Sequence, residues 1–555
     1  MSTLKGLSLK FLSLCIGLGF GLSIMPAVQA SDALSKASRA DLAERCDALN
    51  VLNLETVGDE PSRVISTRLV IGEKATANES LYFKKRGHSQ GNPMPEEPLF
   101  PDHCLVEGYS VHHVQFAMML PLPKNWNERF MLAACDAWCG KVHKEISVPG
   151  LYYGYATITN NGGHHSRAPF DGIWAHKDVR AREYFAHKAN HISAQAGKAI
   201  AEAFYGRAPK FSYITGFSKG GNAGLMAVQR YPEDFDGVFA KAPVVNYNPK
   251  NAAHFPWVAK AVYPDGKNPV IYSDKVDLLH AGVTAACDEN DGLKDGVIDD
   301  PRKCTFDPIE LLCKDGQSEV KSECLNMAQV EAVRKIYAKP TTKDGHVYFE
   351  YGTDRSSEND WEEAILPVRG SEDLPFAYTG AATGVRYMVT ADNPGPGYDW
   401  TKFDYVASLD EVDEMSKILD PDAVDLSAFK KRGGKLIIVH GWSDAMISAN
   451  MTIDWYAKVQ EAMGGKAVTD EFMQLYIVPG MVHGSGGPGP FVYDAQSPLV
   501  KWVESGITPT QLMLEDMPGG HTPFRQRPSF PYPEYAKYDG KGDPTKASSF
   551  ERTLD

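Results

Sequence analysis

Basic residues are scarce in this chain relative to acidic ones. Lys and Arg number 57 against 71 Asp and Glu, a formal charge of −14. A surface that neutralises a phosphate backbone needs the opposite balance, so a nucleic-acid partner is excluded. Long apolar runs are lacking too. The longest, Phe11 to Met25, is short for a bilayer span, which excludes a polytopic membrane protein. No internal repeat is present. With 43% hydrophobic and 23% charged residues, the composition is that of a soluble globular protein and excludes disorder and collagen. A length of 555 residues allows two or three domains, or one large domain with a big insertion.

The short apolar run carries the flanks of an export signal. Lys5 and Lys10 form a basic n-region, and Pro26 with Val28-Gln29-Ala30 supplies a small-residue cleavage pattern. Residues 1–30 therefore read as a cleaved signal peptide, with a secreted or periplasmic product and no stable membrane anchor; the alternative is an uncleaved anchor. Cys15, the odd one of nine cysteines, leaves with the signal. Cys46, Cys104, Cys135, Cys139, Cys287, Cys304, Cys313 and Cys324 remain, an even set that reads as disulfides in an exported chain. Spacing alone sets no connectivity. Zinc is disfavoured, because Cys135 and Cys139 have no matching His or Cys pair at ligand spacing.

Strand and helix patterns alternate along the chain. Residues 107–122 alternate apolar and polar side chains as a strand does, and Phe130 to Ala134 and Tyr155 to Thr159 are further short strands. Helical spacing over 188–206 ends at Gly206. Then come a strand at Phe211 to Thr215, a helix at Lys219 to Arg230 and a strand at Val238 to Ala242. Buried-strand runs at Lys435 to Val439 and Phe472 to Val478 enclose a helix near Asp454 to Met463. This alternation predicts an α/β fold with a mostly parallel sheet. The rhythm breaks over 247–425, which holds four cysteines, an Asp-rich loop, one clear helix at Met327 to Tyr337 and the Pro394-Gly395-Pro396-Gly397 run. That stretch reads as a lid domain inserted into a sheet domain made of 31–246 and 426–555.

The segment richest in chemistry is Gly216-Phe217-Ser218-Lys219-Gly220, between a strand and a helix. A G-x-S-x-G elbow needs glycines because the serine is held on a sharp, closely packed turn. Ser218 is thereby presented at a helix N-terminus, where the Lys219 amide can help hold an oxyanion. A nucleophilic serine also needs a base and an orienting acid, which this kind of fold supplies in the order Ser, Asp, His. Asp444 follows the strand 435–439 in His440-Gly441-Trp442-Ser443-Asp444, and His483 follows the strand 472–478 in Pro479-Gly480-Met481-Val482-His483-Gly484. Ligands gather at such C-terminal strand ends in open α/β sheets. Singly, Asp444 is also a turn or cap residue and His483 a solvated loop histidine. A second oxyanion donor is expected from the loop after an early strand, at the amide of Asp136 in Ala134-Cys135-Asp136-Ala137-Trp138-Cys139-Gly140.

A second constellation is Asp288, Asp291, Asp295 and Asp299, interleaved with Gly292 and Gly296. Carboxylates repeated among glycines suit a hard cation, calcium in an exported protein, though the spacing is not that of an EF-hand. From the residues alone, a solvated acidic loop explains the pattern equally well.

These motifs together resemble the tannase and feruloyl esterase family. The likeness runs from Phe204-Tyr205-Gly206 through Ser218-Lys219-Gly220-Gly221 and Arg230-Tyr231-Pro232-Glu233-Asp234-Phe235-Asp236-Gly237. It continues at 440–444, 479–487, Trp502-Val503-Glu504 and the tail from Arg527-Pro528 to Gly542-Asp543. The resemblance implies an α/β-hydrolase fold with a large inserted lid, and Ser218, Asp444 and His483 as a triad working through an acyl-enzyme. It implies structural Ca2+ in the lid, held by the side chains of Asp288, Asp291 and Asp295 and the carbonyls of Leu293 and Val297, with no organic cofactor. It further implies the pairs Cys46–Cys104, Cys287–Cys304 and Cys313–Cys324, leaving Cys135 and Cys139 as a candidate local bridge around the oxyanion loop. The implied substrate is a small aromatic ester of feruloyl, galloyl, chlorogenate or terephthalate half-ester type, with Arg386 as a candidate reader of ring or carboxylate. The family pattern joins the serine and histidine loops by a disulfide. Phe217 and Gly484 occupy those positions, so the chain reads as a variant of its family lacking the disulfide that joins these two loops. Other readings are a serine hydrolase of aliphatic esters or other acyl substrates, and a non-catalytic binding protein on the same fold.

Overall fold

The computed structural model describes residues 36–74, 100–319, 323–517 and 520–554. The export signal expected over 1–30 lies outside them. Among the described residues no helix is long and apolar enough to cross a membrane.

Nine strands form one sheet in the order β1-β2-β3-β5-β4-β6-β7-β8-β9. They are β1 (Ser62–Val70), β2 (His103–Ser110), β3 (Val114–Pro121), β4 (Arg129–Ala133), β5 (Ala156–Asn160), β6 (Phe211–Phe217), β7 (Gly237–Lys241), β8 (Lys435–Gly441) and β9 (Met473–Val478). β1, β2, β3 and β5 pair antiparallel, whereas every pairing from β5 through β4 to β9 is parallel. The sheet is therefore mostly parallel, as the alternation of strands and helices implies, with an antiparallel edge. Such a fold is the α/β-hydrolase architecture, with helices Ala189–Tyr205, Lys219–Arg230 and Ala449–Ala462 as its crossovers.

The parallel strands are apolar on both faces because helices cover both. Ile214, Val238, Ala240, Leu436 and Ile438 enter one buried cluster, while Tyr213, Phe239, Ile437 and Val439 enter another. Period-2 alternation thus feeds two cores from the same strands. Helix Ala189–Tyr205 turns small residues to the sheet. A Cβ on its Gly197 would come within 2.8 Å of the Phe130 ring, so glycine sets how closely the helix approaches.

Two local expectations are corrected. Residues 107–122 form two strands joined by a hairpin, with His112 and His113 at φ 63° and 70° making the turn. Two successive left-handed residues match the sheet's twist, and histidine is not the usual marker of such a turn. β1 escaped notice because a bulge between Val64 and Ser66 interrupts its alternation, and Ile65 lies 62% exposed.

Between β7 and β8, which are neighbours paired Gly237 to Lys435, the chain makes its long excursion. The excursion is built of helices, among them Phe255–Val262, Val276–Cys287, Met327–Tyr337, Phe376–Tyr387 and Leu409–Leu419, and among the described residues it adds no strand to the sheet.

The cysteines correct a further expectation. Four disulfides are present, Cys46–Cys104, Cys135–Cys139, Cys287–Cys304 and Cys313–Cys324, and they use every cysteine beyond residue 30. The chain is therefore not a disulfide-lacking variant. Cys46–Cys104 alone ties the helix Lys36–Asp47 to β2 across 58 residues, and each pair brings its Cα atoms within 4.8–5.7 Å. Four such bonds persist in an oxidising compartment outside the cytosol.

Candidate active site

β6 delivers Ser218 to a turn that only close packing can hold. Ser218 has φ 57° and ψ −116°, a strained region for a residue with a Cβ. Its N–H donates to the Lys241 carbonyl of β7 (2.9 Å), and its carbonyl accepts from Asn222 (3.0 Å), locking the turn from both sides. The flanking glycines are sterically required. A Cβ at Gly216 would lie 2.2 Å from the Gly220 oxygen, and one at Gly220 would lie 2.8 Å from the Ala134 oxygen. Lys219 opens the following helix with its side chain turned away, donating to the Ala186 carbonyl (3.2 Å) and Asn222 Oδ1 (2.9 Å). Burial pulls that ammonium down to about 7.

The loops after β8 and β9 bring two further groups to this edge. His483 Nε2 lies 3.1 Å from Ser218 Oγ, and His483 Nδ1 lies 2.8 Å from Asp444 Oδ2. Asp444 Oδ1 accepts from the amides of Met446 (2.9 Å) and Ile447 (2.8 Å), and Oδ2 also faces His440 Nε2 at 3.2 Å. Burial would raise the Asp444 carboxyl, but the His483 and His440 imidazoles outweigh it and hold the group well below the usual carboxylate range. The loops are tied to each other as well: Ser443 N–H donates to the Met481 carbonyl (3.0 Å), and Trp442 N–H to Val478 (3.0 Å). Phe217 lies beside His483 with ring centroids 4.6 Å apart, and its ring leaves no room for a Cβ on Gly484.

The segment Cys135–Cys139 closes the other side. Its disulfide spans only four residues, with Ala137 at φ 48° and Cys139 at φ 54°. Trp138 N–H donates to the Pro169 carbonyl (3.0 Å), and its own carbonyl lies 2.7 Å from His164 Nε2. Asp136, Ser218, Lys219 and His483 all line one cavity of about 370 Å³. Its sheet-side wall includes Trp138 and Phe217, and its opposite wall comes from the 247–425 excursion, including Tyr247, Phe255, Asp360 and Phe376. Arg386 is not among the lining residues; its Nε donates to the Tyr398 carbonyl at 2.9 Å.

Sequence reading missed two groups at this site. His440 stands in the His440–Asp444 run but was given no role, although its Nδ1 meets Thr452 Oγ1 at 2.8 Å and its Nε2 meets the Ile447 carbonyl at 2.9 Å. Asp360 lies in the Pro/Gly-rich excursion, where no periodicity or spacing points to it.

The acidic loop folds on itself. Asp288 accepts from Gly296 N–H (3.0 and 3.1 Å), Asp291 from Leu293 N–H (2.9 Å) and Asp295 from Val297 N–H (3.1 Å). Asp299 is paired with Arg527, but its Oδ1 is buried without a partner. Burial, reinforced by Asp299, pushes the Asp291 carboxyl up to about 7. The donors are all oxygen, and their desolvated carboxylates with an orphaned Oδ1 fit a hard cation. Among the described residues, no three His, Cys, Asp or Glu side chains already converge as a ligand set.

A sheet of this order with a serine on its strand–helix elbow makes the protein an α/β-fold hydrolase. Comparison with known proteins narrows the class. The sequence profile described as "Tannase and feruloyl esterase" matches residues 102–553. A mono(2-hydroxyethyl) terephthalate hydrolase from Piscinibacter sakaiensis is 30% identical over 516 residues, covering 81% of this chain and 84% of that protein. The crystal structure of feruloyl esterase B from Aspergillus oryzae superposes with a TM-score of 0.76 at 25% identity, over 92% of this chain and 100% of that one. A second esterase structure from Aspergillus oryzae gives 0.75 at 26% identity, with the same coverage. The protein is a carboxylic-ester hydrolase. It belongs to the tannase and feruloyl esterase family.

The bridge around the proposed oxyanion loop carries a prediction. Replacing both Cys135 and Cys139 by Ser releases a short loop and costs about 2 kcal/mol in the chain-entropy account. Urea denaturation of the double variant should show that loss, with kcat falling more than KM rises because the loop also slackens. Unchanged kcat would mean that the loop geometry is set by Trp138 and its partners alone.

Proposed function

We propose that the protein hydrolyses esters of aromatic acids through Ser218, His483 and Asp444. The observation that carries the reading is His483 bridging Ser218 at 3.1 Å and Asp444 at 2.8 Å on the wall of a cavity with aromatic sides. His483 Nε2 takes the Ser218 proton as Oγ attacks the ester carbonyl. Asp444, itself fixed by two amides, holds the Nδ1–H tautomer and stabilises the imidazolium. The Lys219 and Asp136 amides are the oxyanion donors. Collapse expels the alcohol, which takes the proton from His483, and water then attacks the acyl-enzyme with His483 again as base.

The acyl group would lie between the sheet edge and residues 247–425, which act as a lid. Trp138 and Phe170 meet edge-on at 5.6 Å and Phe170 and Phe376 are tilted at 5.5 Å, an aromatic corner suited to a planar ring. The names of the relatives favour a feruloyl, galloyl or terephthalate-type acid. Export through a signal cleaved after Ala30 agrees with the four disulfides, and N-terminal sequencing of the exported chain should begin at Ser31. Any residue of 1–30 retained would refute the cleavage.

Ser218→Ala should lower kcat by about 10⁴-fold or more. Near-normal turnover in that variant would end the proposal. A panel of feruloyl, galloyl, chlorogenate and terephthalate esters should exceed alkyl esters in kcat/KM by about tenfold or more, the worth of one well-filled apolar contact surface. The reverse order would make it an aliphatic esterase.

Calcium would be held by Asp288, Asp291 and Asp295 with the Leu293 and Val297 carbonyls, and it would neutralise carboxylates that burial otherwise drives towards protonation. It takes no part in the ester chemistry. Chelation should lower Tm in the unmodified protein and leave Asp288→Ala unmoved. Equal Tm with and without chelator in the unmodified protein would refute the site.

A further inference from the structure

The excursion between β7 and β8 reaches the catalytic loops through one carboxylate that the mechanism above leaves unused. Asp360 Oδ2 accepts the N–H of His483 itself (3.2 Å) and the N–H of Ala445, next to Asp444 (3.3 Å). A single oxygen thus joins the loop after β8 to the loop after β9, from a chain segment far from both in sequence. Asp360 also lines the cavity that contains Ser218.

We propose that Asp360 is the positioning residue of the reaction, clamping the His483 and Asp444 loops through the two amides it binds. The inference rests on the Ser218–His483–Asp444 reading. Removing the acceptor would leave the His483 and Ala445 amides without this bond and free the peptide that carries the base. Small displacements of a base from its nucleophile are costly, since about 1 Å can remove 10²-fold in rate.

The clamp is also a charge. Burial, and then the neighbouring Asp444 carboxylate, push the Asp360 carboxyl up to about 7, against the pull of His483 and the two amides. Glu362 and Glu363 follow it along the same wall, Lys250 faces the cavity from the excursion, and Asp136 faces it from the sheet side, where the Lys219 ammonium is turned away. Ionised Asp360 binds both amides by charge-assisted hydrogen bonds and favours the imidazolium of the transition state. Protonated, it does both less well. Its effect is therefore strongest above about pH 7 and weakens in part as pH falls through that value, because the protonated carboxyl keeps an acceptor oxygen.

The test uses the full-length enzyme, a soluble ester that it turns over, and Ser218→Ala as background. At high pH Asp360→Ala should lower kcat about 10- to 100-fold with KM changed much less. Asp360→Asn keeps an acceptor oxygen and should recover most of that loss. In the unmodified enzyme, log kcat should show a partial acid-side step near pH 7 from Asp360, and Asp360→Asn should lack that step on its acid limb. Asn no better than Ala, or an acid limb that Asn leaves unchanged, overturns the proposal. Should the Ala variant fail to fold, the limb of the Asn variant decides alone. Hydrolysis persisting in Ser218→Ala would instead place the fault in the triad reading, and a switch from aryl to alkyl esters would leave the Asp360 test intact.

Discussion

The parallel register that pairs Gly216 with Ala240, Lys241 with Val439 and Gly441 with Val478 carries the site. Because these strands run the same way and end at the same edge, the residues just beyond them arrive together although they lie up to 265 positions apart. The ladder continues past the strands: Ser218 N–H bonds Lys241, Ala242 N–H bonds Val439, and Trp442 N–H bonds Val478. The serine, the acid and the histidine are consequently held by the same hydrogen-bond system that builds the sheet. A slip of one residue would exchange the side chains of the two buried faces, so the two cores guard the register.

Electrostatics at that edge are settled by burial and near neighbours rather than by net charge. Asp444 is 1% exposed, yet two imidazoles and two amides keep it anionic. Asp360, close by and similarly desolvated, faces amides and the Asp444 charge, and its carboxyl rises to about 7. Two aspartates a few ångströms from one histidine are thus driven apart in acidity by their partners. The overall charge of −14 says nothing about either.

The disulfides do different work from the sheet. Cys46–Cys104 anchors the N-terminal helix, Cys287–Cys304 brackets the acidic loop, and Cys135–Cys139 pins a turn whose Ala137 and Cys139 sit at positive φ. The residues it encloses, Asp136, Ala137 and Trp138, line the cavity that contains Ser218, where a strained backbone needs support.

Ser218, Asp444 and His483 were legible because each follows an apolar strand run, and Ser218 and His483 also stand in glycine-rich turns. The Lys219–Arg230 and Met327–Tyr337 helices were legible for the same local reason: apolar spacing bounded by clear ends. The antiparallel edge of the sheet was not, since the β2–β3 turn uses histidines at positive φ and the β1 bulge breaks alternation. Sequence by itself determined the elbow, the order of the three site residues and the supply of cysteines, all of which are local patterns. Only the tertiary structure decided that Asp360 reaches the His483 amide, that Arg386 serves the Tyr398 carbonyl, and that His440 stands behind Asp444. The Asp360 contacts join segments 85 to 123 residues apart, the Arg386 contact closes a span of 12 residues, and the His440 contact sets an imidazole against a loop folded back upon it; they exist only once burial has chosen which segments meet.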